Sequence, residues 1–216
     1  EFRRVLFRIF MSADIKTRYG ALVASGDVER DRAQEHVVDL LALLGRRLLE
    51  HRLARKSSAL GWLFGARERK EEPIKGLYVF GEVGRGKTML MDLFFAASPV
   101  IRKRRVHFHE FMLDVHDRLR EARKSESGDP IPPVVAALAD EARVLCFDEM
   151  VVNNMADAAI MSRLFTGLID ARVTIVTTSN RPPDDLYKDG LNRQLFLPFI
   201  DLRSEEHTSE LQSPYV

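Results

Sequence analysis

The octapeptide Gly81-Glu82-Val83-Gly84-Arg85-Gly86-Lys87-Thr88 constrains this chain more than any other stretch. It fits the pattern G-x-x-x-x-G-K-[ST]. An apolar run, GLYVFG at 76–81, leads into it, and an apolar helical stretch, MLMDLFF, follows. Glycines at these positions let the backbone wrap a phosphate chain with its N–H groups. The next helix adds the partial positive charge of its N-terminus. Lys87 can reach β- and γ-phosphates, and Thr88 can offer its hydroxyl to Mg²⁺. A strand before and a helix after is the context this pattern requires.

The rest of the chain agrees with an α/β reading. Beyond Pro73, short apolar runs alternate with helical stretches. GLYVFG (76–81), RRVHFHEF (104–111), RVLCFDE (143–149) and VTIVTTSN (173–180) read as strands buried on both faces. Such alternation predicts a parallel sheet flanked by helices. Residues 125–133 (SESGDPIPP) read as a polar surface loop. Upstream, residues 13–56 read as mostly helical, with Val37, Leu40, Leu41, Leu44 and Leu48 at helical spacing. Asp27 or Asp31 is positioned to cap that helix. Arg46 and Arg47 interrupt its leucines, so it is not a membrane span but a helix docking on the neighbouring domain. Residues 57–73 read as a linker or short helix whose GWLFG core packs on the domain or on a partner.

Thirty-three basic against 32 acidic residues leave a net charge of +1, which gives no global pull towards nucleic acid or membrane. Cys146 is the single cysteine, so no internal disulfide forms and a reducing compartment fits.

Two further strand ends carry chemistry. VLCFDE delivers Asp148 and Glu149 to a carboxyl edge, where ligands bind in open α/β sheets. Asp148 would hold Mg²⁺, and Glu149 would polarise the attacking water. VTIVTTSN ends at Asn180, between the two earlier strand ends. Its amide either orients water near a γ-phosphate or caps the turn at Pro182 and Pro183. Arg181 and Arg193 follow; either could stabilise a transferring phosphoryl group from a neighbouring subunit, or be a surface charge.

Other features carry less. Arg102-Lys103-Arg104-Arg105 is a basic patch without interleaved aromatics, and reads as a solvated loop rather than a nucleic-acid contact. His107 and His109 would share one face of a strand. With His116 they tempt a metal reading, but no paired cysteines or His-Glu-x-x-His helix accompanies them, and packing or partner contact is preferred. No Asn-Lys-x-Asp guanine reader is found, which argues against a GTPase.

The two ends read differently from the middle. EFRRVLFR (1–8) can be encoded as GAG TTC AGA CGT GTG CTC TTC CGA. The reverse complement of that string encodes SEEHTSEL (204–211). The string resembles a sequencing-library adapter. The expectation is therefore that 1–10 and 203–216 are adapter-derived tails, with a helical segment at 11–72 and a nucleotide-binding core at 73–202.

Taken together, the motifs resemble the AAA+ class of P-loop ATPases, and within it the AFG-like (ZapE-like) family. GLYVFGEVGRGKTMLMDLFF, KRRVHFHEFMLDVH, LCFDE and TSNRPPDDLYKDGLNRQLFLPFI carry the likeness, with RYGALVASGDVERDRAQ upstream. The resemblance implies an α/β AAA+ core using ATP and Mg²⁺. Lys87 and Thr88 form its Walker A pair, Asp148 and Glu149 its Walker B pair, and Asn180 its first sensor. Arg193 would be the trans-acting arginine, with Arg181 as alternate. It implies a cytoplasmic ATPase, homo-oligomeric at full length, with peripheral membrane contact open to it. Its partners would be proteins, FtsZ in bacterial division among them, rather than nucleic acid.

Many members continue Phe-Gln-Val-Thr-Asp after the Asp-Glu pair. Here the residues are Met150-Val151-Val152-Asn153-Asn154, which alters a neighbouring polar contact and not the metal site. The family runs past Leu202 into a further strand and a helical lid. The expectation is thus a core lacking its C-terminal lid, with a sheet one strand short.

Overall fold

The structure, a computed structural model, describes residues 14–61, 73–125, 128–152, 155–188 and 207–211. Two helices open it, α1 (Ile15–Ser25) and α2 (Arg32–Gly61). The order then runs β1 (Leu77–Gly81), α3 (Lys87–Ala97), β2 (Lys103–His107), α4 (Phe108–Ser125) and α5 (Ile131–Glu141). It continues with β3 (Val144–Asp148), α6 (Met155–Asp170), β4 (Thr174–Ser179), a 3₁₀ turn (Pro183–Asp185) and β5 (His207–Leu211).

All strand pairs are parallel, in the order β2-β3-β4-β1-β5. The chain leaves β1 for the far edge and returns, so β4 lies between β1 and β3. Phe80 aligns with Ser179, and His107 with Asp148. The functional strand ends therefore reach one level on one edge, as the alternation predicts.

The sheet is buried on both faces. On one, α4, α5 and α6 pack Phe108, Phe111, Val134, Leu138 and Phe165 against Leu145, Phe147 and Ile175. On the other, the stripe Val37, Leu41, Leu44 and Leu48 of α2 meets Leu90, Met91 and Phe94 of α3 over Leu77, Val79 and Val176. The N-terminal helices thus share a core with the phosphate-loop helix. Cys146 is sealed in that core, and burial pushes its thiol up to about 12.

Four expectations are corrected. The N-terminal stretch is two helices. Asp14 caps α1 through the Thr17 N–H at 2.9 Å, and Gly26 ends it in the left-handed conformation. Asp31, not Asp27, caps α2, accepting from the Ala33 N–H at 2.8 Å. Second, α2 continues through residues 57–61, whereas 62–72, with most of the GWLFG patch, lies outside the described residues.

Third, RRVHFHEF is a strand only to His107. Helix α4 begins at Phe108, because Phe108, Phe111, Met112, Val115 and Leu119 form a buried helical stripe. His107 and His109 therefore share no strand face. Fourth, a fifth strand lies beside β1, and it comes from the 203–216 segment read as an adapter-derived tail. Residues 207–211 form β5, with Leu77 opposite His207 and Gly81 opposite Leu211. A buried parallel strand with an unpaired edge carries unmet N–H and C=O groups, and an extended segment satisfies them. The Arg193 position and the 1–10 tail lie outside the described residues. Among those residues, no helix is long and apolar enough to cross a membrane.

Candidate functional site

The phosphate loop bridges β1 and α3. Gly84 and Gly86 have φ of 82° and 79°, a region that disfavours side chains. A Cβ on Gly86 would also meet the Gln34 Nε2 at 2.9 Å. Lys87, 9% exposed, donates from Nζ to the carbonyls of Gly81 at 2.8 Å and Glu82 at 2.7 Å. Burial lowers the Lys87 pKa from its ordinary value; the Glu149 charge opposes that shift and Arg85 adds to it. Thr88 is exposed in the first turn of α3.

This loop is held by the N-terminal helices. Asp31 Oδ2 lies 2.8 Å from Arg85, with both side chains largely buried. Gln34 Nε2 donates to the Arg85 carbonyl at 3.2 Å. Tyr19 donates its hydroxyl to Gln34 Oε1 at 3.2 Å. Sequence reasoning gave none of these three a part in the site, although Asp31 was a cap candidate and all three lie in the stretch RYGALVASGDVERDRAQ.

The opposing wall is built from β3 and β4. Asp148 is 4% exposed. Its Oδ2 accepts from Arg105 Nε at 2.8 Å and lies 2.7 Å from the same guanidinium's second nitrogen. Its Oδ1 faces the Thr178 hydroxyl at 3.4 Å. Glu149 has φ of 53°, a left-handed conformation that costs a non-glycine residue about 1–3 kcal/mol. It is exposed, and its N–H donates to Thr178 Oγ1 at 3.2 Å. Met150 N–H donates to the Thr178 carbonyl at 2.8 Å, and Ser179 Oγ donates to the Met150 carbonyl at 2.9 Å. Three bonds between β4 and the turn thus hold the strained residue in place.

A cavity of about 400 Å³ lies between the walls. It is lined by 83–89 of the loop together with Glu149, Thr178, Ser179 and Asn180. Of the predicted site residues, Val83 to Thr88, Glu149 and Asn180 line it directly. Gly81 and Glu82 sit at its base through their carbonyls to Lys87, and Asp148 sits behind Thr178. Asn180 is exposed at the end of β4. Arg181 is exposed, its carbonyl accepting from the Tyr78 hydroxyl at 2.9 Å.

The basic run is not a solvated loop. Lys103 to Arg105 open β2, with Arg102 exposed just ahead of it, and each charge has a partner within the chain. Arg102 meets Asp140, Lys103 the carbonyls of Phe95 and Ser98, Arg104 meets Asp114, and Arg105 meets Asp92 and Asp148. His116 Nε2 lies 2.7 Å from Asp157, while His107 and His109 are exposed.

The model of the family described as AFG1-like ATPase matches residues 14–214. The chain is 48% identical to "Lactation elevated protein 1 homolog B" of Danio rerio over 63% of this chain and 29% of that protein. It is 39% identical to "Cell division protein ZapE" of Escherichia coli K12 over 86% of this chain and 50% of that protein. The chain thus spans half or less of the length of these relatives. Among solved structures, the DnaC helicase loader aligns with TM-score 0.53 at 12% identity, over 85% of this chain and 92% of that one. Domain III of the Thermotoga maritima replication initiation protein DnaA aligns with TM-score 0.50 at 19% identity, over 64% and 55%. At those identities the likeness speaks for the fold alone, a parallel sheet flanked by helices.

Proposed function

This chain belongs to the AFG1-like ATPase family, and from that premise we propose that it binds Mg²⁺–ATP in the cavity between the two walls and hydrolyses it to drive rearrangement of a protein partner. One observation carries the reading: a single cavity gathers the glycine-rich loop, Lys87, Thr88, Glu149 and Asn180. The loop fits a phosphate chain, since its turns use backbone conformations and close approaches that suit glycine.

Mg²⁺–ATP supplies the phosphoanhydride to be cleaved and a divalent charge that offsets the phosphates. The loop N–H groups and Lys87 would hold the phosphates, and the Thr88 hydroxyl with Asp148 would hold the metal. Glu149 takes a proton from the attacking water at its exposed carboxylate. Asn180 orients that water from the neighbouring strand end. Arg193, or Arg181 in its place, would be donated by a neighbouring copy to offset charge on the transferring group.

The name of the Escherichia coli relative motivates a role in cell division. With it come a cytoplasmic setting, FtsZ as the partner, and peripheral membrane contact. The alternatives are a non-catalytic nucleotide scaffold or a DNA-associated loader. Internal pairing of residues 102–105 weighs against the loader.

The test is Glu149→Gln in a chain of its relatives' full length. It should keep nucleotide affinity and lose at least about 100-fold in turnover, the scale of a general base. Turnover at the parent rate would overturn the assignment. Turnover per chain that rises with protein concentration would support the donated arginine. Nucleotide binding with no turnover at any concentration favours the scaffold. Nucleotide-dependent retention on polymerised FtsZ tests the partner, and lack of retention removes it.

A further inference from the structure

Asp148 does not stand alone at the end of β3. Arg105 lies on the neighbouring strand, paired in register with Cys146, and its side chain runs along β2 to the level of the carboxylate. Two guanidinium nitrogens, at 2.7 and 2.8 Å, converge on Oδ2. A third pairs with Asp92 on α3, the helix that begins at Lys87. One planar group thus ties β2, β3 and α3 together. Lysine, a single point charge, has no such fork. The other carboxylate oxygen, Oδ1, faces Thr178 at 3.4 Å on the side of the cavity.

We propose that Arg105 is a positioning residue for Asp148, a resident cation that occupies Oδ2 and leaves Oδ1 as the oxygen for a divalent ion. The inference rests on the reading of this cavity as a metal–nucleotide site. Its chemical content is charge compensation. A carboxylate this deeply buried is costly without a counter-charge, and Arg105 supplies one within the fold. Asp148 is therefore held in one orientation without metal. Free divalent cations meet an aspartate already paired with a guanidinium, so the metal is taken up with the phosphates that bring their own negative charge. Without Arg105 the same aspartate becomes a buried, unpaired anion that a free divalent ion would relieve.

Thermal unfolding with and without millimolar MgCl₂, in the absence of nucleotide, tests this. The parent chain should show no Mg²⁺-dependent rise in Tm. Arg105→Met should unfold at lower temperature but regain about 3 °C or more on adding Mg²⁺, because a ligand that binds only the folded state stabilises it. Arg105→Met combined with Asp148→Asn should lose that response. An equal response in parent and Arg105→Met, no response in either, or a response that survives Asp148→Asn would each overturn the proposal. If Arg105→Met does not fold, Arg105→Gln serves, since it removes the charge and keeps a polar side chain. It should respond to Mg²⁺ where the parent does not, and a flat response overturns the proposal in the same way. No nucleotide or turnover enters this test. Failure of the Glu149→Gln experiment therefore leaves its outcome readable.

Discussion

The two walls of the cavity are held by different parts of the molecule. The phosphate loop is gripped from outside the sheet, by Asp31 and Gln34 of α2 with Tyr19 of α1, at separations of 54 and 51 positions from Arg85. The carboxylate wall is held from within the sheet, by Arg105 on β2 and by Thr178 and Ser179 on β4. The loop wall has few backbone ties and depends on side chains of a peripheral layer. The carboxylate wall is held by side chains of the sheet's own strands, with one main-chain bond from Met150 to Thr178. The first should therefore yield in ligand affinity with the fold intact, and the second should yield in stability.

Thr178→Val gives the largest expected effect. It removes the acceptor for the Glu149 N–H and the hydroxyl beside Asp148 Oδ1. A buried donor left unmet costs about 1–3 kcal/mol, so Tm should fall by roughly 4–8 °C for a loss near 2 kcal/mol in a chain this size. A variant as stable as the parent breaks the comparison at the carboxylate wall.

Asp31→Ala comes next. Freeing Arg85 should weaken affinity for a fluorescent ATP analogue about tenfold, or roughly 1.4 kcal/mol. Its Tm should fall by roughly 2–4 °C, since the cap of α2 is lost with the pair and a missing cap costs about 1 kcal/mol. Unchanged affinity with a large drop in Tm would reverse the roles of the two walls.

Asp114→Asn is the smallest and the most sensitive to pH. Asp114 anchors α4 to Arg104, the residue beside Arg105, and also binds Arg118. Burial raises its pKa, but the Arg118 and Arg104 hydrogen bonds outweigh that and hold it below the usual carboxylate range. A lowered folded pKa contributes stability above the unfolded value, and that contribution is lost as pH falls through the folded value. The substitution should cost about 1 kcal/mol at neutral pH. The difference from the parent should vanish in acid, below that lowered range. A pH-independent difference in urea midpoints would show that packing, not charge, buttresses this wall.

What the amino-acid sequence makes legible follows the same division. The loop, VLCFDE and the Asn180 strand are local patterns, so their strand ends and common edge can be read from spacing and apolar runs. The support of the loop cannot be, because Asp31 and Gln34 reach Arg85 only once α2 has docked on α3. Residues 102–105 mislead for a related reason. Four adjacent charges look solvated in one dimension, yet β2 lies at an edge where each meets a partner from another element. The end of β2 was legible in principle. Phe108, Phe111, Met112, Val115 and Leu119 repeat with helical period, but the β-favouring run ahead of them masks the change at Phe108. β5 answers a need of β1 that no residue within 207–211 announces.

The Tyr19–Gln34–Arg85 contact has a consequence for anything that handles the N-terminal helices. Linkage is reciprocal: two binding events that share one element change each other's affinity by the same factor. If pulling α1 and α2 off the loop weakens its hold on nucleotide tenfold, then loading nucleotide weakens the pulling partner's grip tenfold. The corner of two helices would then act as a lever with ends of equal strength.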